Sequence, residues 1–505
     1  MVSSAVTSGQ CPVCCRVWTT ETSPRSVLRC PLVTTSAPGP LTLERLDRVV
    51  KAYDIRGRVP EDLDRDLARS VGAALVEVLA VRGDTGGPGA VVIGHDMRES
   101  SPDLVDALAE GITAQGADAL IIGLASTDGL YFASGHLELP GVMVTASHNP
   151  AGDNGMKVCR AGAAPVGQDS GLAEIRSMLA FGVPTYEGPR GQVRHRDLLP
   201  DYAVFLRGLV DLSTIRPLRI VVDAGSGMAG HTVPAVLGTA AGLPALPLDI
   251  DELYFDLDGT FPHHEANPLD PANLVDLAAR VQAVGADLGL AFDGDADRCF
   301  VVDEQGRVVS PSAITALISS AELQRHPGAT IIHNLITSRT VPEVITAAGG
   351  HPVRTRVGHS FIKAQMAETG AVFGGEHSGH FYFADFFNAD SGMLAAMHVL
   401  AALGHAAPDT TVSSLMAAFD RYSASGEVNS VVGDIAAATE RVRARYCVTE
   451  GVTCDDLDGL TVSAQEWWFN LRPSNTEPLL RLNVEARDVQ TMERLRDEVL
   501  TLIRP

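Results

Sequence analysis

From about residue 44 onward, short apolar runs alternate with amphipathic segments, and this alternation constrains the fold more than any other feature of the chain. The runs have the length and composition of buried strands, and the segments between them carry apolar residues at helical spacing. Such alternation predicts an α/β fold of parallel sheets covered by helices on both faces. The predicted strands are residues 90–94, 119–123, 141–144, 219–223, 287–292 and 330–335, and the predicted helices include 65–82, 272–284 and 341–348.

Three similar α/β units follow one another in this pattern. V-V-I-G-H-D at 91, I-V-V-D-A-G at 220 and T-I-I-H-N-L at 330 each lead into a helical segment. Beyond them, strand-like runs at 467–471 and 479–485 and a helix at 489–503 predict a smaller α+β module. We therefore expect a disordered extension over 1–43, α/β domains over 44–195, 196–305 and 306–425, and an α+β domain over 426–505. A chain of 505 residues is long enough for roughly four domains, with clefts between them where ligands bind.

Composition excludes two classes of protein. The net charge of −23 argues against a nucleic-acid-binding protein, which presents a basic face. No apolar run reaches the roughly 18 residues that cross a bilayer, and the stretch 393–407 predicts a buried helix instead. We therefore expect no nucleic-acid or membrane partner. An anionic substrate would require basic residues concentrated inside particular loops.

The cysteines bear on the compartment. Four of the eight lie in the first 30 residues, but C-P-V-C-C at 11–15 is followed by no second Cys or His pair at metal spacing, so a zinc site is disfavoured. No disulfide framework is apparent over the rest of the chain, and no basic start with an apolar core indicates a signal peptide. These features favour a reducing, cytoplasmic environment.

The motif T-A-S-H-N-P at 145–150 ends the strand predicted at 141–144. A serine in a loop at a strand end is expected to be exposed enough to react, and His148 adjoins Ser147. An ordinary polar turn has the same composition. A serine nucleophile needs activation, and the absence of G-x-S-x-G makes acyl transfer a weak interpretation.

The motif D-G-D-A-D-R at 293–298 sets Asp293, Asp295 and Asp297 at alternate positions after an apolar run. At about 4 Å and an effective dielectric near 20, each pair of buried carboxylates would repel by roughly 4 kcal/mol. They are therefore either solvated in an acidic turn or neutralised by a hard cation such as Mg²⁺. An EF-hand is disfavoured because its sixth position, which needs glycine, is Arg298.

Two later loops suit a phosphorylated, polyhydroxylated ligand. In G-E-H-S-G-H at 375–380, Glu376 and Ser378 alternate between glycines, and a carboxylate accepts hydrogen bonds from two hydroxyls at once. In R-P-S-N-T-E-P at 472–478, a guanidinium, hydroxyls, an amide and backbone N–H groups form a donor set for phosphate. The loop lacks the nucleotide P-loop pattern. A glycine-rich loop and a turn without function are the alternatives.

Basic residues are concentrated in these candidate loops, as an anionic substrate requires. Arg56 lies in Y-D-I-R-G at 53–57, and Lys157 closes N-G-M-K at 154–157. Arg298 and Arg472 belong to motifs already described.

Taken together, these loops resemble the α-D-phosphohexomutase family. The motifs, in the family's order, are K-A-Y-D-I-R-G at 51, T-A-S-H-N-P at 145, D-N-G-M-K at 153, D-G-D-A-D-R at 293, V-G-H-S at 357, G-E-H-S-G-H at 375 and R-P-S-N-T-E-P at 472. The resemblance covers about residues 44–505, is specific because seven separated loops agree, and is strongest to the bacterial phosphomannomutase/phosphoglucomutase branch. It implies three similar α/β domains and a smaller C-terminal domain around one central cleft.

The resemblance also implies roles for single residues. Ser147 would carry a phosphoryl group, and one Mg²⁺ would be held by the three aspartates and a phosphoserine oxygen. Catalytic positive charge would come from Lys157, His148, Arg298 and Arg56, with Lys157 as a candidate for proton transfer. The implied substrate contacts are Tyr53, His359, Glu376, Ser378, His380, Arg472, Ser474, Asn475 and Thr476.

The reaction so implied interconverts a hexose 6-phosphate and a hexose 1-phosphate. Its intermediate, a hexose 1,6-bisphosphate that also serves as activator, must turn end for end before it returns a phosphoryl group to the serine. The phosphate clamp then serves both orientations, which would suit a separate, mobile domain. A monomer or a dimer is expected.

Several alternatives stay open at this point. Asn475 and His377 favour a neutral hexose, because glucosamine phosphate mutases more often carry R-P-S-G-T-E-P and E-Q-S-G-H; mannose and glucose are not distinguished. A Mg²⁺-dependent phosphatase with an aspartate nucleophile usually has Thr or Val where Asp297 stands, and it would leave Ser147 and Arg472 without roles. A non-catalytic sugar-phosphate-binding protein would not need the serine together with the complete aspartate triplet.

Overall fold

Four sheets, each with its own helices, follow one another along the part of the chain that the structure describes. This computed structural model describes residues 42–82, 89–474 and 479–504, with the side chains of His359 and Ser360 left out. Three α/β/α domains and a C-terminal domain with an antiparallel sheet confirm the predicted fold class. The boundaries predicted between the domains stay predictions, and nearly all of the predicted extension lies outside the described residues.

Domain I is built around a six-stranded sheet. Its strands are β1 (Ile55–Arg58), β2 (Ala90–His95), β3 (Asp118–Leu124), β4 (Gly141–Val144), β5 (Asp153–Cys159) and β6 (Val193–His195), and its helices are α1 (Leu43–Val49), α2 (Arg65–Val78), α3 (Ser101–Ala114), α4 (Thr127–Leu137) and α5 (Leu172–Phe181). In the order β1-β5-β4-β2-β3-β6, four neighbouring strands are parallel, but β5 is antiparallel to β4 and β1 to β5. The expectation of wholly parallel sheets is wrong at this edge, because the short loop between β4 and β5 cannot form the crossover that parallel strands need.

Domain II repeats this arrangement on a smaller scale. Its helices are α6 (Leu199–Leu209), α7 (Ala229–Val236) and α8 (Val275–Val284), and its strands are β7 (Leu218–Asp223), β8 (Leu248–Leu253), β9 (Leu288–Phe292) and β10 (Cys299–Asp303). The order is β10-β9-β7-β8, and β10 is antiparallel to β9 because only the six-residue motif 293–298 joins them. The predicted helix 272–284 is a 3₁₀ turn, Pro271–Leu274, followed by α8.

Domain III carries the helix predicted to be buried. Its helices are α9 (Pro311–Arg325), α10 (Thr340–Ala347), α11 (His359–Thr369), α12 (Gly392–His405) and α13 (Val412–Met416), and its strands are β11 (Thr330–Asn334), β12 (His351–Thr355), β13 (Phe373–Gly375), β14 (Phe381–Phe383) and β15 (Ala389–Asp390). The order is β12-β11-β13-β14-β15, and β14 is antiparallel to both of its neighbours, β13 and β15. Most of α12 is buried, which confirms its prediction. No helix among the described residues is long and apolar enough to span a membrane.

Domain IV is an antiparallel sheet with helices packed on it. Its strands are β16 (Ser423–Val431), β17 (Thr453–Asp455), β18 (Leu460–Ser463), β19 (Trp467–Pro473) and β20 (Leu479–Ala486), in the order β16-β20-β19-β18-β17, and its helices are α14 (Ile435–Tyr446) and α15 (Val489–Ile503). A disulfide joins Cys447 and Cys454, so the expectation that the body of the chain has no disulfide is wrong for this pair. The turn after α14 brings their Cα atoms to 5.9 Å, a proximity that cysteine spacing alone does not reveal. Cys159 and Cys299 are free and buried.

Local signals set where helices begin and end. Asp64 caps α2 by accepting a hydrogen bond from the backbone N–H of Leu67, and Asp488 caps α15 in the same way. The helix predicted at 65–82 ends earlier, at Val78, because Ala80 takes a left-handed conformation with φ 50°.

The distribution of the apolar cores separates domain IV from the rest. One continuous cluster of buried apolar side chains runs from Val92 in domain I through Phe292 in domain II to Met397 in domain III. Domain IV has its own core, and the apolar contact between it and domain III is the small cluster of Leu335, Ile336 and Trp468. Domains I to III are thus packed as one body, to which domain IV is attached by a smaller apolar cluster together with polar contacts such as that of Arg339 with Glu485.

Candidate active site

The loop that carries Ser147 joins β4 to β5 at the carboxyl end of β4. Ser147 has a φ of 52°, in the left-handed region, and its N–H donates to Thr145 Oγ1 at 2.9 Å. The residue is only 3% exposed, so the expectation of an exposed serine is wrong. The metal-loop motif of domain II lies directly against it: a Cβ at Gly294 would lie 2.5 Å from the carbonyl oxygen of Ser147. A strained backbone conformation held in place by its surroundings is common at functional sites.

The hydroxyl of Ser147 is held by charged groups of domain II. Its Oγ donates to Asp293 Oδ2 at 2.8 Å and accepts from Arg298 Nη2 at 3.2 Å. His148 Nδ1 lies 3.2 Å from the same Oγ and also faces Arg298 Nη2. The nearby Arg298 guanidinium, together with burial, holds the pKa of His148 well below its usual value. His148 is therefore neutral here, and positive charge at Ser147 comes from Arg298.

The three predicted metal-ligating aspartates converge beside the serine. One carboxylate oxygen of each lies within 4.8 Å of those of the others, and all three residues are buried. Lys157 Nζ, from β5, lies 2.7 Å from Asp295 Oδ2 and 2.6 Å from Asp297 Oδ2. The Oδ1 atoms of Asp295 and Asp297 are buried without a hydrogen-bond partner. Orphaned carboxylate oxygens in a three-carboxylate cluster are a donor set that fits Mg²⁺.

Ionisation of this cluster follows from burial and from its cations. Burial raises the pKa of Asp293 well above its usual value, although Arg298 opposes the shift. Burial acts in the same direction on Asp295, but the two interactions with Lys157 outweigh it and lower its pKa. Burial would lower the pKa of Lys157, yet Asp295 and Asp297 raise it well above normal. Paired in this way, Lys157 stays protonated, whereas a lysine base needs a lowered pKa.

The charges around the cleft leave room for a divalent cation. Five buried carboxylates lie here: Asp293, Asp295, Asp297, Glu376 and Asp390. Lys157 pairs with Asp295 and Asp297, Arg298 pairs with Asp293, and the buried Lys363 pairs with Asp390 at 2.6 Å. Buried charges without partners are strongly unfavourable. The oxygens of Asp295 and Asp297 that these cations leave without a hydrogen-bond partner are where a divalent cation would bind.

A buried arginine outside the predicted set holds the serine loop. Arg98 Nη2 donates to the carbonyl oxygens of Ser147 and Asn149 at 2.9 and 2.7 Å, and its Nη1 donates to those of Pro150 and Asp153 at 2.8 and 2.9 Å. Its Nε donates to Asp96 Oδ2 at 3.2 Å, and the side chain is 1% exposed. One guanidinium thus ties together four carbonyl groups of the loop that positions Ser147.

Arg56, at the edge of domain I, reaches the other side of the same loop. Its Nη1 donates to Asn149 Oδ1 at 2.7 Å and its Nη2 to Asp54 Oδ2 at 2.7 Å. Its charge contributes to the lowered pKa of His148. The structure therefore brings Arg56, as predicted, to the neighbourhood of the serine.

The sugar-loop carboxylate of Glu376 is already held by protein donors. Its Oε1 accepts from Asn334 Nδ2 and from the N–H of Gly358, both at 3.2 Å, and its Oε2 accepts from Tyr382 Oη at 2.8 Å. The acceptor capacity left for a ligand lies mainly on Oε2. His380 Nδ1 lies 3.7 Å from this atom and 3.1 Å from Ser378 Oγ.

Other predicted substrate contacts lie around Glu376, and one of them, His359, has a side chain that the structure does not describe. A Cβ at Gly358 would lie 3.0 Å from Tyr53 Oη, so Tyr53 faces the V-G-H-S loop. Burial raises the pKa of Tyr53, and Glu376 adds to the shift. His377 points elsewhere, towards Ser312 Oγ at 3.2 Å.

The phosphate-binding loop predicted in domain IV is described in part. Arg472 is buried at the end of β19. Burial lowers the pKa of His377, and the charge of Arg472 lowers it further. Arg472 therefore lies near the loop 375–380 that contains Glu376 and His377. Ser474 Oγ accepts from Arg481 Nη2 at 3.0 Å. Asn475 and Thr476 lie outside the described residues.

Four profiles of one family match the chain in order. They are Phosphoglucomutase/phosphomannomutase, alpha/beta/alpha domain I at residues 47–180, domain II at 200–306, domain III at 310–422, and the C-terminal domain at 427–502. The chain belongs to the phosphoglucomutase/phosphomannomutase family.

Individual family relatives match over nearly their whole length. A phosphomannomutase of Salmonella typhimurium is 42% identical over 459 residues, which are 90% of this chain and 98% of the relative. A protein of Xanthomonas campestris pv. campestris named "Phosphohexose mutases" is 41% identical over 456 residues, with the same coverage. A solved family protein from Burkholderia thailandensis is 32% identical and superposes with a TM-score of 0.79 over 91% of this chain and 98% of its own. The chain is accordingly a phosphohexose mutase, an intramolecular phosphotransferase.

Sequence reasoning missed several residues that this mutase places at the site. Asp96 and Arg98 follow β2 in the run H-D-M-R, whose polar residues after a buried strand were the signal available. Thr127, which donates to Asp295 Oδ2 at 2.6 Å, gave no local signal. The ion pair of Lys363 with Asp390 joins α11 to β15 and likewise could not be recognised from spacing.

Replacement of Arg98 by lysine tests the clamp on the serine loop. A lysine keeps the charge but has only three donors at one point, so at least two of the five hydrogen bonds that Arg98 makes to the four carbonyl groups and to Asp96 are lost. We expect kcat of the mutase to fall roughly 100-fold, since a small misplacement of a reacting group has that effect, and stability to fall by about 2–4 kcal/mol. Steady-state kinetics and urea unfolding measure the two effects.

The matched control is Arg65→Lys, at an exposed arginine of α2 that pairs with Asp103. It should leave both quantities near the wild-type values. An Arg98→Lys protein with wild-type kcat would contradict the positioning role.

Proposed function

We propose that this phosphohexose mutase acts as a phosphomannomutase that carries a phosphoryl group on Ser147. The phosphoserine P–O bond breaks as the free hydroxyl of a hexose phosphate forms a new bond to phosphorus and gives up its proton. The resulting hexose 1,6-bisphosphate turns end for end and returns its other phosphoryl group to Ser147. The interconverted substrates are hexose 6-phosphate and hexose 1-phosphate.

The observation that carries this proposal is the position of Ser147 Oγ, 2.8 Å from Asp293 Oδ2 and 3.2 Å from Arg298 Nη2. A phosphoryl group on this oxygen would lie beside the aspartate cluster and a guanidinium. Phosphoryl transfer depends on positioning and on stabilisation of negative charge, and both are available here. A phosphatase that uses an aspartate as nucleophile would give the clamped serine no task.

We infer that one Mg²⁺ is held by Asp293, Asp295, Asp297 and a phosphoserine oxygen. When bound, it would neutralise charge on the transferring group. Arg298 then holds Ser147 and Asp293 in register, and Arg56 adds positive charge on the far side of the loop. Loss of its carboxylate partners to the cation would remove the interactions that raise the pKa of Lys157, which is what a lysine base requires.

The remaining predicted contacts are assigned to the rest of the substrate. We propose that Glu376, Ser378 and His380 bind sugar hydroxyls, together with Tyr53 and His359. Arg472 and Ser474, with Asn475 and Thr476 of the same loop, would bind the phosphate that is not reacting. In this proposal, the domain over 44–195 carries the phosphoserine loop and the domain over 196–305 the metal loop. The domain over 306–425 carries the sugar-binding loop, and the domain over 426–505 carries the phosphate-binding loop.

Substitution of the serine tests the covalent step. Ser147→Ala should lose nearly all mutase turnover because no phosphoryl carrier remains. Mass spectrometry of wild-type tryptic peptides should find phosphate on the peptide with Ser147, and Ser70→Ala, on the surface of α2, should keep full activity. Full turnover by Ser147→Ala would rule out the proposed mechanism.

Titration with Mg²⁺ alone tests the metal site. We expect one site per chain by calorimetry and an affinity at least about tenfold lower for Asp297→Asn, since a buried charge that faces the ion is lost. Asp201→Asn, at an exposed pair with Arg196, is the matched control. Equal affinities of wild type and Asp297→Asn would show that this cluster does not bind the ion.

A coupled assay with mannose 1-phosphate, glucose 1-phosphate and glucosamine 1-phosphate tests the choice of hexose. The names of the relatives favour mannose. His377 faces Ser312 Oγ, so we expect other residues to select between the hexoses. We expect kcat/KM to be highest for mannose 1-phosphate and at least about tenfold lower for glucosamine 1-phosphate. The reverse order would favour the alternative, a phosphoglucosamine mutase.

A further inference from the structure

Two arginines of domain IV lie side by side on one face of its sheet. Arg472, near the end of β19, is the register partner of Arg481 on β20. Residues directly opposite each other on neighbouring strands share a face, and like charges in that position destabilise the pair. Arg472 is 6% exposed, so its charge is largely desolvated. Burial, and then the charge of Arg481, lower the pKa of Arg472.

The carboxylate of Glu427 bridges these two arginines. Its Oε2 lies 2.6 Å from Arg472 Nη2, and its Oε1 lies 3.2 Å from Arg481 Nη1. Each oxygen therefore engages a different guanidinium, which is also how two oxygens of a phosphate group would engage them. Arg481 Nη2 in addition donates to Ser474 Oγ in the loop predicted to bind phosphate.

A local irregularity of β16 presents Glu427 to the arginines. The register of β16 against β20 shifts between Ala424 and Glu427, and Gly426 within this bulge has a φ of 65°. Bulges re-aim side chains and are often found next to active sites. After the bulge Glu427 is opposite Asn483, two residues from Arg481 and on the same face. Glu427, Arg481 and Arg472 thus form a row across three neighbouring strands.

We propose that Glu427 is a resident counter-ion that sets how tightly the two-arginine site binds a phosphate monoester. This inference rests on the proposed function and adds Glu427 and Arg481 to it. Glu427 offsets part of the positive charge of the arginine pair. An arriving phosphate dianion must share the guanidinium donors with the carboxylate, so its affinity stays limited.

Limited affinity suits a site that releases its ligand in every catalytic cycle. The bisphosphate intermediate has to leave the clamp with one phosphate and return with the other. Tight binding of the ground state lowers KM without raising kcat, and it slows release. Glu427, which competes with the phosphate for the arginine donors, keeps Arg472 and Arg481 oriented. It also prevents them from holding the intermediate too long.

Replacement of Glu427 by glutamine tests this role. In the full-length Ser147→Ala chain with Mg²⁺, which cannot transfer phosphate, calorimetry with mannose 1-phosphate measures binding alone. Glu427→Gln should bind at least about tenfold tighter, because the negative charge that repels the phosphate and occupies the arginine donors is removed. With Ser147 intact, the same substitution should lower KM and kcat together.

A purely structural role predicts the opposite result. If Glu427 only orients the arginines, Glu427→Gln binds mannose 1-phosphate with equal or lower affinity, and that outcome overturns the proposal. Should Glu427→Gln fail to fold, Glu427→Asp decides the question: its shorter side chain cannot bridge both arginines, so binding should tighten about threefold, and unchanged or weaker binding overturns the proposal. Glu440→Gln removes the same charge from the exposed surface of α14 and should leave affinity unchanged.

Two further variants separate this inference from the function on which it rests. Arg481→Met should weaken binding about tenfold if Arg481 is a phosphate donor. Undiminished binding by Arg472→Met would mean that the phosphate is held elsewhere, which removes the site itself. Full turnover by the Ser147→Ala chain would instead remove the proposed mechanism, whatever the effect of Glu427.

Discussion

Burial of several carboxylates where domains I, II and III meet is the constraint on which the whole site depends. A buried carboxylate keeps its charge only beside a cation, because the protein interior replaces little of its lost hydration. Asp293 has Arg298 from its own loop, Asp295 depends on Lys157 from domain I, and Asp297 lies near both cations. The contact between domains I and II is therefore electrostatic as well as apolar. Withdrawal of Lys157 would leave Asp295 without its ion-pair partner.

Another buried carboxylate, that of Asp128, extends this coupling to domain III. Asp128, in the first turn of α4, accepts hydrogen bonds from Tyr202 Oη at 2.7 Å and from Ser391 Oγ at 2.6 Å. Burial raises its pKa to about 6 despite these donors. Its neighbour Thr127 donates both its N–H and its hydroxyl to Asp295. One helix turn of domain I thus fixes the aspartate loop of domain II and the end of the sheet of domain III.

Patterns local to a few residues were sufficient for most of the fold and for the centre of the site. Alternating apolar runs located the central strands, and the strand ends supplied Ser147 and Asp293 because the carboxyl ends of parallel strands meet in one cleft. What escaped were interactions between distant segments, namely Arg98 with the carbonyl groups of the serine loop and Lys363 with Asp390, and a disulfide formed across the turn after α14. Burial of Ser147 also escaped, because the metal loop of another domain covers it. Of these, only Arg98 left a local signal, the polar run H-D-M-R at the end of β2.

The contact between domains III and IV bears directly on the carboxylate of Glu376. The N–H of Val357 donates to Asp458 of domain IV at 3.1 Å, while the N–H of the next residue, Gly358, donates to Glu376 at 3.2 Å. The two peptide groups meet at the Cα atom of Val357, so a displacement of Asp458 would shift the backbone segment that also carries the donor to Glu376. Arg354, three residues earlier, pairs with domain IV as well. Because domain IV has its own core and a small apolar contact with domain III, its position can change while that core stays intact. Domain IV and the carboxylate of Glu376 are therefore not independent: the position of Asp458 bears on the donor that orients Glu376.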